Sequence, residues 1–135
     1  MSNPTGLEEA SKIRVFLVDD HEAFLRIATE FLQRHHDELT VVGAARGGAE
    51  ALTQAQDLQP QVILVDLNMP GLSGLETIPR LRAMLPEARI IALTLLDPKV
   101  YRQAALAAGA DDFVLKADLS THLLPAIRRV VGSDQ

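Results

Sequence analysis

The sequence predicts an α/β fold: a doubly wound (βα)5 three-layer sandwich around a five-stranded parallel sheet. Three observations carry this expectation. Short apolar runs rich in β-branched residues recur along the chain, and each has the length of a strand. Segments with apolar residues at helical spacing alternate with them. The runs are apolar throughout rather than at every second position, as expected of strands covered by helices on both faces. Strand and helix repeating with short links then predicts parallel strands joined by right-handed crossovers.

The elements follow in order. Ile13 to Val18 reads as the first strand, and Phe24, Ile27, Ala28, Phe31 and Leu32 form the apolar stripe of the first helix. Leu39 to Ala45 gives a second strand, Gly48 to Leu58 a second helix, and Val62 to Asp66 a third strand. Ser73 and Glu76 have capping-box spacing and open a third helix, with Pro86 marking its end. Gly71 and Gly74 read as turn-formers after Pro70. Arg89 to Thr94 is the fourth strand. A fourth helix lies between the cap and first turn offered by Asp97 and Pro98 and the stop offered by Gly109. Phe113 to Lys116 is the fifth strand, and the last helix starts near Ser120 with Leu123, Leu124, Ile127, Val130 and Val131 on one stripe. Pro79 and Pro125 fall inside helical stripes, where a missing donor and a ring clash predict a kink or a shifted start.

At 135 residues, 47% hydrophobic and 4% aromatic, the chain suffices for one core. The expected organisation is a tail over 1–12, a domain over 13–132 and a short tail over 133–135. A net charge of -5 argues against a nucleic-acid surface, which needs clustered Lys and Arg. With no cysteine there is neither a disulfide framework nor a thiolate metal site. The first residues lack the apolar core of a secretory signal, and no apolar run is long enough to cross a bilayer. A cytoplasmic protein without membrane contact is expected.

All strands of a parallel sheet end at one edge, where ligands collect. Asp19 and Asp20 after the first strand, Asp66 after the third, Thr94 after the fourth and Lys116 after the fifth are thereby brought together. Clustered carboxylates repel, so they raise their pKa values or take a cation, and carboxylate oxygens suit Mg2+. Such an ion would bridge a phosphoryl group while Lys116 neutralises its oxygens, Thr94 donates a hydrogen bond and Asp66 acts as nucleophile, forming an acyl phosphate. Taken singly, the Asp pair reads as a cap and turn, Lys116 as a surface lysine and Thr94 as a strand end. Only the shared edge makes them candidates. His21 falls at the pocket rim without a role that the pattern requires. His35 and His36 favour the negative end of a helix dipole over metal binding.

From Ile13 to about Gly132 the constellation resembles the receiver domain of bacterial two-component response regulators. The acidic pair matches Asp19 and Asp20 in Val-Asp-Asp-His, and the phosphoacceptor matches Asp66 in Val-Asp-Leu-Asn-Met-Pro-Gly. The switch hydroxyl matches Thr94, and the lysine matches Lys116 in Phe-Val-Leu-Lys. The resemblance implies a flavodoxin-like sheet, with Asp20 and Asp66 ligating Mg2+ directly, Asp19 through water and the Asn68 backbone carbonyl completing the set. It makes Phe113 the switch aromatic, a sensor histidine kinase the phosphoryl donor, and phosphorylation the trigger for homodimerisation or changed partner binding. The wording around Asp-Asp-His and Leu-Asn-Met-Pro-Gly-Leu-Ser-Gly-Leu-Glu-Thr is similar to the NarL/FixJ branch. Regulators in that branch control transcription through a C-terminal helix-turn-helix that binds DNA. The chain stops before such a domain, as an excised receiver or a stand-alone single-domain regulator would. Ala117 replaces the proline that often follows the lysine, so no cis bond is expected there, while Leu95 and Leu96 replace smaller residues beside the threonine and should slow loss of phosphate.

Two other readings compete. A pseudo-receiver would keep the fold as an interaction module without phosphorylation; the five intact positions argue for the active form. A haloacid-dehalogenase-type phosphatase uses similar groups, but there the nucleophile lies on the first strand, whereas here the acidic pair comes first and Asn68 stands two residues after Asp66.

Overall fold

The computed structural model describes residues 12–96 and 98–132. Five parallel strands form one sheet in the order β2-β1-β3-β4-β5: β1 (Ile13–Val18), β2 (Leu39–Ala45), β3 (Val62–Asp66), β4 (Arg89–Thr94) and β5 (Asp112–Leu115). The five α-helices are α1 (Glu22–Gln33), α2 (Gly48–Leu58), α3 (Gly74–Met84), α4 (Pro98–Ala108) and α5 (Leu119–Gly132). Chain order reverses between β1 and β3, so the crevice of this doubly wound sheet opens at their carboxyl ends.

Alternation along the strands divides the core into two layers. Val15 and Leu17 of β1, Val62 and Leu64 of β3, and Ile91 and Leu93 of β4 face α1 and α5. Phe16 and Val18, Ile63 and Val65, and Ile90 and Ala92 face α2, α3 and α4. Phe113 joins the second layer and Val114 the first. Both faces of the sheet are therefore covered, which is why its strands are continuously apolar.

The apolar stripe of α1 keeps Ala28 and Leu32 buried, with Phe24 and Phe31 packed against the same layer, and departs from the expected one at Ile27. Leu25, Ala28 and Leu32 are buried, whereas Ile27 is 56% exposed. The sheet accepts one narrow stripe, and the run Phe24-Leu25 offers two registers for it; packing selects the one through Leu25. In β5 the strand begins one residue earlier than expected and ends at Leu115, because Lys116–Asp118 turns as a 3-10 segment into α5. Pro79 and Pro125 do not shorten their helices. Both face solvent, so water can serve the carbonyls of Leu75 and Thr121 that lose their amide partners. The expected cap Asp97 lies outside the described residues, as do 1–11 and 133–135 of the expected tails. No cis peptide occurs among the described residues, Lys116–Ala117 included.

The helix ends obey local chemistry. Ser73 Oγ accepts from the Glu76 amide at 3.2 Å and Glu76 Oε1 accepts from the Ser73 amide at 3.0 Å, the capping box expected for α3. Gly109 closes α4 at φ 122°, with its amide on the Leu106 carbonyl and the Ala110 amide on the Ala105 carbonyl. Gly71 turns the chain at φ 73°. Gly74 has a different role from the expected turn-former: it is the first residue of α3 and lies against the backbone of Asp66 and Leu67. A Cβ there would overlap the Asp66 carbonyl oxygen and the Leu67 Cα.

Gly74→Ala should therefore force α3 away from the end of β3 and cost about 3 kcal/mol, read as a lowered urea midpoint. A midpoint equal to that of the unsubstituted protein would show that the two backbones do not constrain each other.

Candidate functional site

Register brings the site together. Val18 pairs with Val65, Asp66 with Leu93, and Thr94 with Leu115. Asp19 thus follows β1 at the level where Asp66 ends β3, and Thr94 and Lys116 follow on the neighbouring strands. Asp19, Asp66, Thr94 and Lys116 are all buried, with exposures of 7% or less, and Asp20 is partly buried at the mouth.

Lys116 Nζ lies 2.6 Å from Asp19 Oδ2 and 3.4 Å from Asp66 Oδ1, and 4.4 Å from the centre of the Phe24 ring. The 3-10 turn after β5 aims this side chain inward, and the ring face of Phe24 on α1 gives the ammonium an electrostatically favourable wall. Thr94 Oγ1 donates to Asn68 Oδ1 at 2.9 Å and accepts from the Leu96 amide at 3.0 Å. The backbone amide of Asn68, two residues after Asp66, favours the ionised form of the Asp66 carboxyl. His21, the N-cap position of α1, donates its backbone amide to Asp19 Oδ1 at 2.9 Å. Its ring Nδ1 lies 3.1 Å from the same oxygen and 3.4 Å from Asp20 Oδ1.

The predicted Asp19, Asp20, Asp66, Thr94, Lys116 and Asn68 therefore converge on one pocket. Phe113 does not touch it: it is buried in the layer beneath α4 and lines a groove of about 180 Å3 with Pro98, Arg102, His122 and Arg129. Two participants were not assigned from the sequence. Phe24 read as one more apolar position on the α1 stripe, and nothing in its spacing marks it as a partner for a cation. His21 stood at the rim, and its place two residues after Asp19 was the available signal.

The electrostatics are unbalanced. Three carboxylates face one ammonium, and Asp66 Oδ2 and Asp20 Oδ1 are buried without a hydrogen-bond partner. Burial, and then the Asp19 carboxylate, push the Asp66 carboxyl from its ordinary 3.8 up to about 6, against the opposing pull of Lys116 and the Asn68 amide. Buried orphan oxygens on clustered carboxylates are what a divalent cation would satisfy, and Asp19, Asp20, His21 and Asp66 each offer one ligand atom within 4.8 Å of the others.

A raised carboxyl pKa means that the folded state holds the proton more tightly than the unfolded one. The associated stability is present below pH 4 and is lost as pH rises through about 6. Without divalent ions, Asp66→Asn should stabilise the protein at pH 7.5 by on the order of 2 kcal/mol and give no gain at pH 4, by urea titration. An equal effect at both pH values would assign the gain to something other than the buried charge.

Residues 15–128 match the family model of the response regulator receiver domain. The nitrate/nitrite response regulator protein homolog of Haemophilus influenzae is 40% identical over 123 residues, covering 91% of this chain and 59% of that protein. Response regulator GacA of Pseudomonas protegens is 36% identical, over 91% of this chain and 57% of its own length. The chain thus spans a little under 60% of the length of these curated relatives. Among solved structures, a LuxR-family two-component response regulator from Aurantimonas sp. SI85-9A1 superposes with a TM-score of 0.84 at 28% identity, covering 91% of this chain and 87% of that one. The signal receiver domain of the putative response regulator NarL from Mycobacterium tuberculosis gives 0.81 at 30% identity, covering 88% and 95%. A sheet whose edge gathers buried carboxylates around one lysine is thus matched in sequence and in backbone over nearly its whole length, and the chain belongs to the response regulator receiver domain family of two-component systems.

Proposed function

We propose that Asp66 is the phosphoacceptor of this receiver domain, taking a phosphoryl group from the phosphohistidine of a sensor kinase. The single observation that carries this reading is Asp66 Oδ2, a buried carboxylate oxygen with no partner in the only carboxylate-rich cluster found among the described residues. In the transfer, the donor P–N bond breaks as a P–O bond to the Asp66 carboxylate forms, and the electron pair stays with the departing imidazole. Lys116, already between Asp19 and Asp66, would neutralise phosphoryl oxygens as charge accumulates on them. Thr94 would exchange its Asn68 partner for the phosphoryl group.

The donor set suits Mg2+. Asp19, Asp20 and Asp66, with the Asn68 backbone carbonyl, would hold it, and a bound ion would offset phosphoryl charge. The domain would occupy 13–132 and act as a switch with only its own phosphorylation and dephosphorylation chemistry, not as an enzyme on a separate substrate. Movement of Thr94 at the end of β4 would be felt at Phe113 of β5, since Ala92 and Phe113 pair across the sheet. The face formed by α4, β5 and α5 would repack in response and alter homodimerisation or partner binding. Relatives bearing names such as transcriptional regulatory protein MctR support control of transcription, exerted by a DNA-binding domain and not by this acidic segment.

Incubation with acetyl phosphate and Mg2+ should add one phosphoryl group to the intact mass of the wild type and none to Asp66→Asn; an adduct that persists in Asp66→Asn would exclude Asp66 as the acceptor. Leu96, whose amide is on Thr94 Oγ1, stands half-exposed beside the pocket and should shield the acyl phosphate from water. The acyl phosphate of Leu96→Glu should then decay several-fold faster in a timed chase, and an unchanged lifetime would remove Leu96 as the cause of slow loss.

A further inference from the structure

We propose that Phe24 is a positioning residue for phosphoryl transfer, its ring face seating the Lys116 ammonium where it can reach an oxygen carried on Asp66. The proposal rests on the reading of Asp66 as phosphoacceptor and gives a residue of α1 a part in that reaction. Lys116 Nζ stands 4.4 Å from the centre of the ring. That is inside the roughly 6 Å over which a ring face attracts a cation. The lysine side chain is only 4% exposed, so water screens the attraction little.

The ring is itself held. Phe24 is the third residue of α1, and the entrance of that helix is tied by the His21 amide to Asp19 Oδ1 at 2.9 Å. The side chain is partly buried against the core layer beneath α1 and α5, so it is not free to swing away. Two carboxylates alone, at 2.6 Å for Asp19 Oδ2 and 3.4 Å for Asp66 Oδ1, would leave the place of the ammonium to their unequal pull. Phe24 adds a third fixed point.

An aromatic wall suits a cation that must change partners. A hydroxyl or carbonyl there would tie one of the three ammonium N–H groups to one direction, whereas attraction to a ring face persists as the ammonium turns across it. The lysine can then leave Asp19 for a phosphoryl oxygen without first breaking a directional bond on the α1 side. With an aliphatic residue at 24 the ammonium keeps its charge and its ion pairs but loses this seat, and charge building on the phosphoryl group meets it less often in reach. In the reaction with acetyl phosphate, the P–O bond to acetate breaks as the P–O bond to the Asp66 carboxylate forms. The electron pair leaves with acetate, and Lys116 keeps its protons throughout.

The test uses the full chain with Phe24→Leu, and a series in which one, two or three ring fluorines are placed site-specifically on Phe24. Fluorines drain negative charge from the ring face while nearly preserving its shape. With acetyl phosphate and Mg2+, Phe24→Leu should be phosphorylated roughly tenfold more slowly, within the range a desolvated contact between cation and ring supplies. The fluorinated proteins should slow stepwise with each fluorine at an unchanged melting temperature. The same fluorines on Phe31, which lies two turns along α1 beside His35, should leave the rate unchanged. In the metal-free wild type the Lys116 Hε proton resonances should be shifted upfield by the ring current, and Phe24→Leu should return them to ordinary values. Phosphorylation of Asp66 at a rate indifferent to the number of fluorines, unshifted Lys116 resonances in the wild type, or equal slowing by fluorines on Phe31 would overturn the proposal alone. Absence of an adduct on the wild type, or an adduct that persists in Asp66→Asn, would overturn the acceptor reading and the proposal with it.

Discussion

The contact of Lys116 with two buried carboxylates is the constraint around which the rest of the site is arranged. Its ammonium approaches Asp19 at 2.6 Å and Asp66 at 3.4 Å, all three being nearly inaccessible to water. One cation cannot neutralise three carboxylates: -3 and +1 leave -2, the charge complementary to a divalent ion. The apo protein partly relieves the imbalance by holding Asp66 toward its protonated form. A bound cation would relieve it by charge, and would at the same time draw the raised Asp66 pKa back down, extending the pH range over which Asp66 is a carboxylate. Metal binding and the protonation of Asp66 are thus linked.

Asn68 joins this centre to the next strand. It follows Asp66 by two residues, and its side-chain oxygen accepts a hydrogen bond from the Thr94 hydroxyl at 2.9 Å. The hydroxyl is also fixed by the Leu96 amide, so the loop after β4 is tied to Asn68 through two hydrogen bonds in series. A phosphoryl group on Asp66 would compete with Asn68 for the one proton Thr94 can donate. The alternatives exclude each other, which is the property a two-state element requires.

Most of the architecture was legible in the sequence because parallel strands covered on both faces leave an unbroken apolar signature. The strand bounds from β1 to β4 and the capping box at Ser73 follow from local chemistry alone. Where the reading fell short, tertiary packing decided. Ile27 and Leu25 are both apolar and one residue apart from acceptable stripes, and only the width of the space over the sheet chooses between them. Gly74 looks like any glycine near a proline turn; its need to be small arises from the Asp66 backbone, which lies on another element. The site carboxylates, Thr94 and Lys116 were legible through the common strand edge, but Phe24 was not, since a ring that shields a cation and a ring that fills a core have the same spacing.

The placement of the acidic pair also explains why α1 starts where it does. Asp19 Oδ1 accepts the His21 amide, an otherwise unpaired donor at the entrance to the helix, and Leu25 then donates to the His21 carbonyl. The carboxylate that meets Lys116 through one oxygen therefore anchors α1 through the other. Phe24, in the first turn of that helix, is delivered onto the same ammonium. Lysine, acidic pair and first helix form a closed circuit of contacts, so a change of charge at the pocket reaches α1 as directly as it reaches β4. Any partner that reads α1 would sense the same event as one that reads the face of α4, β5 and α5.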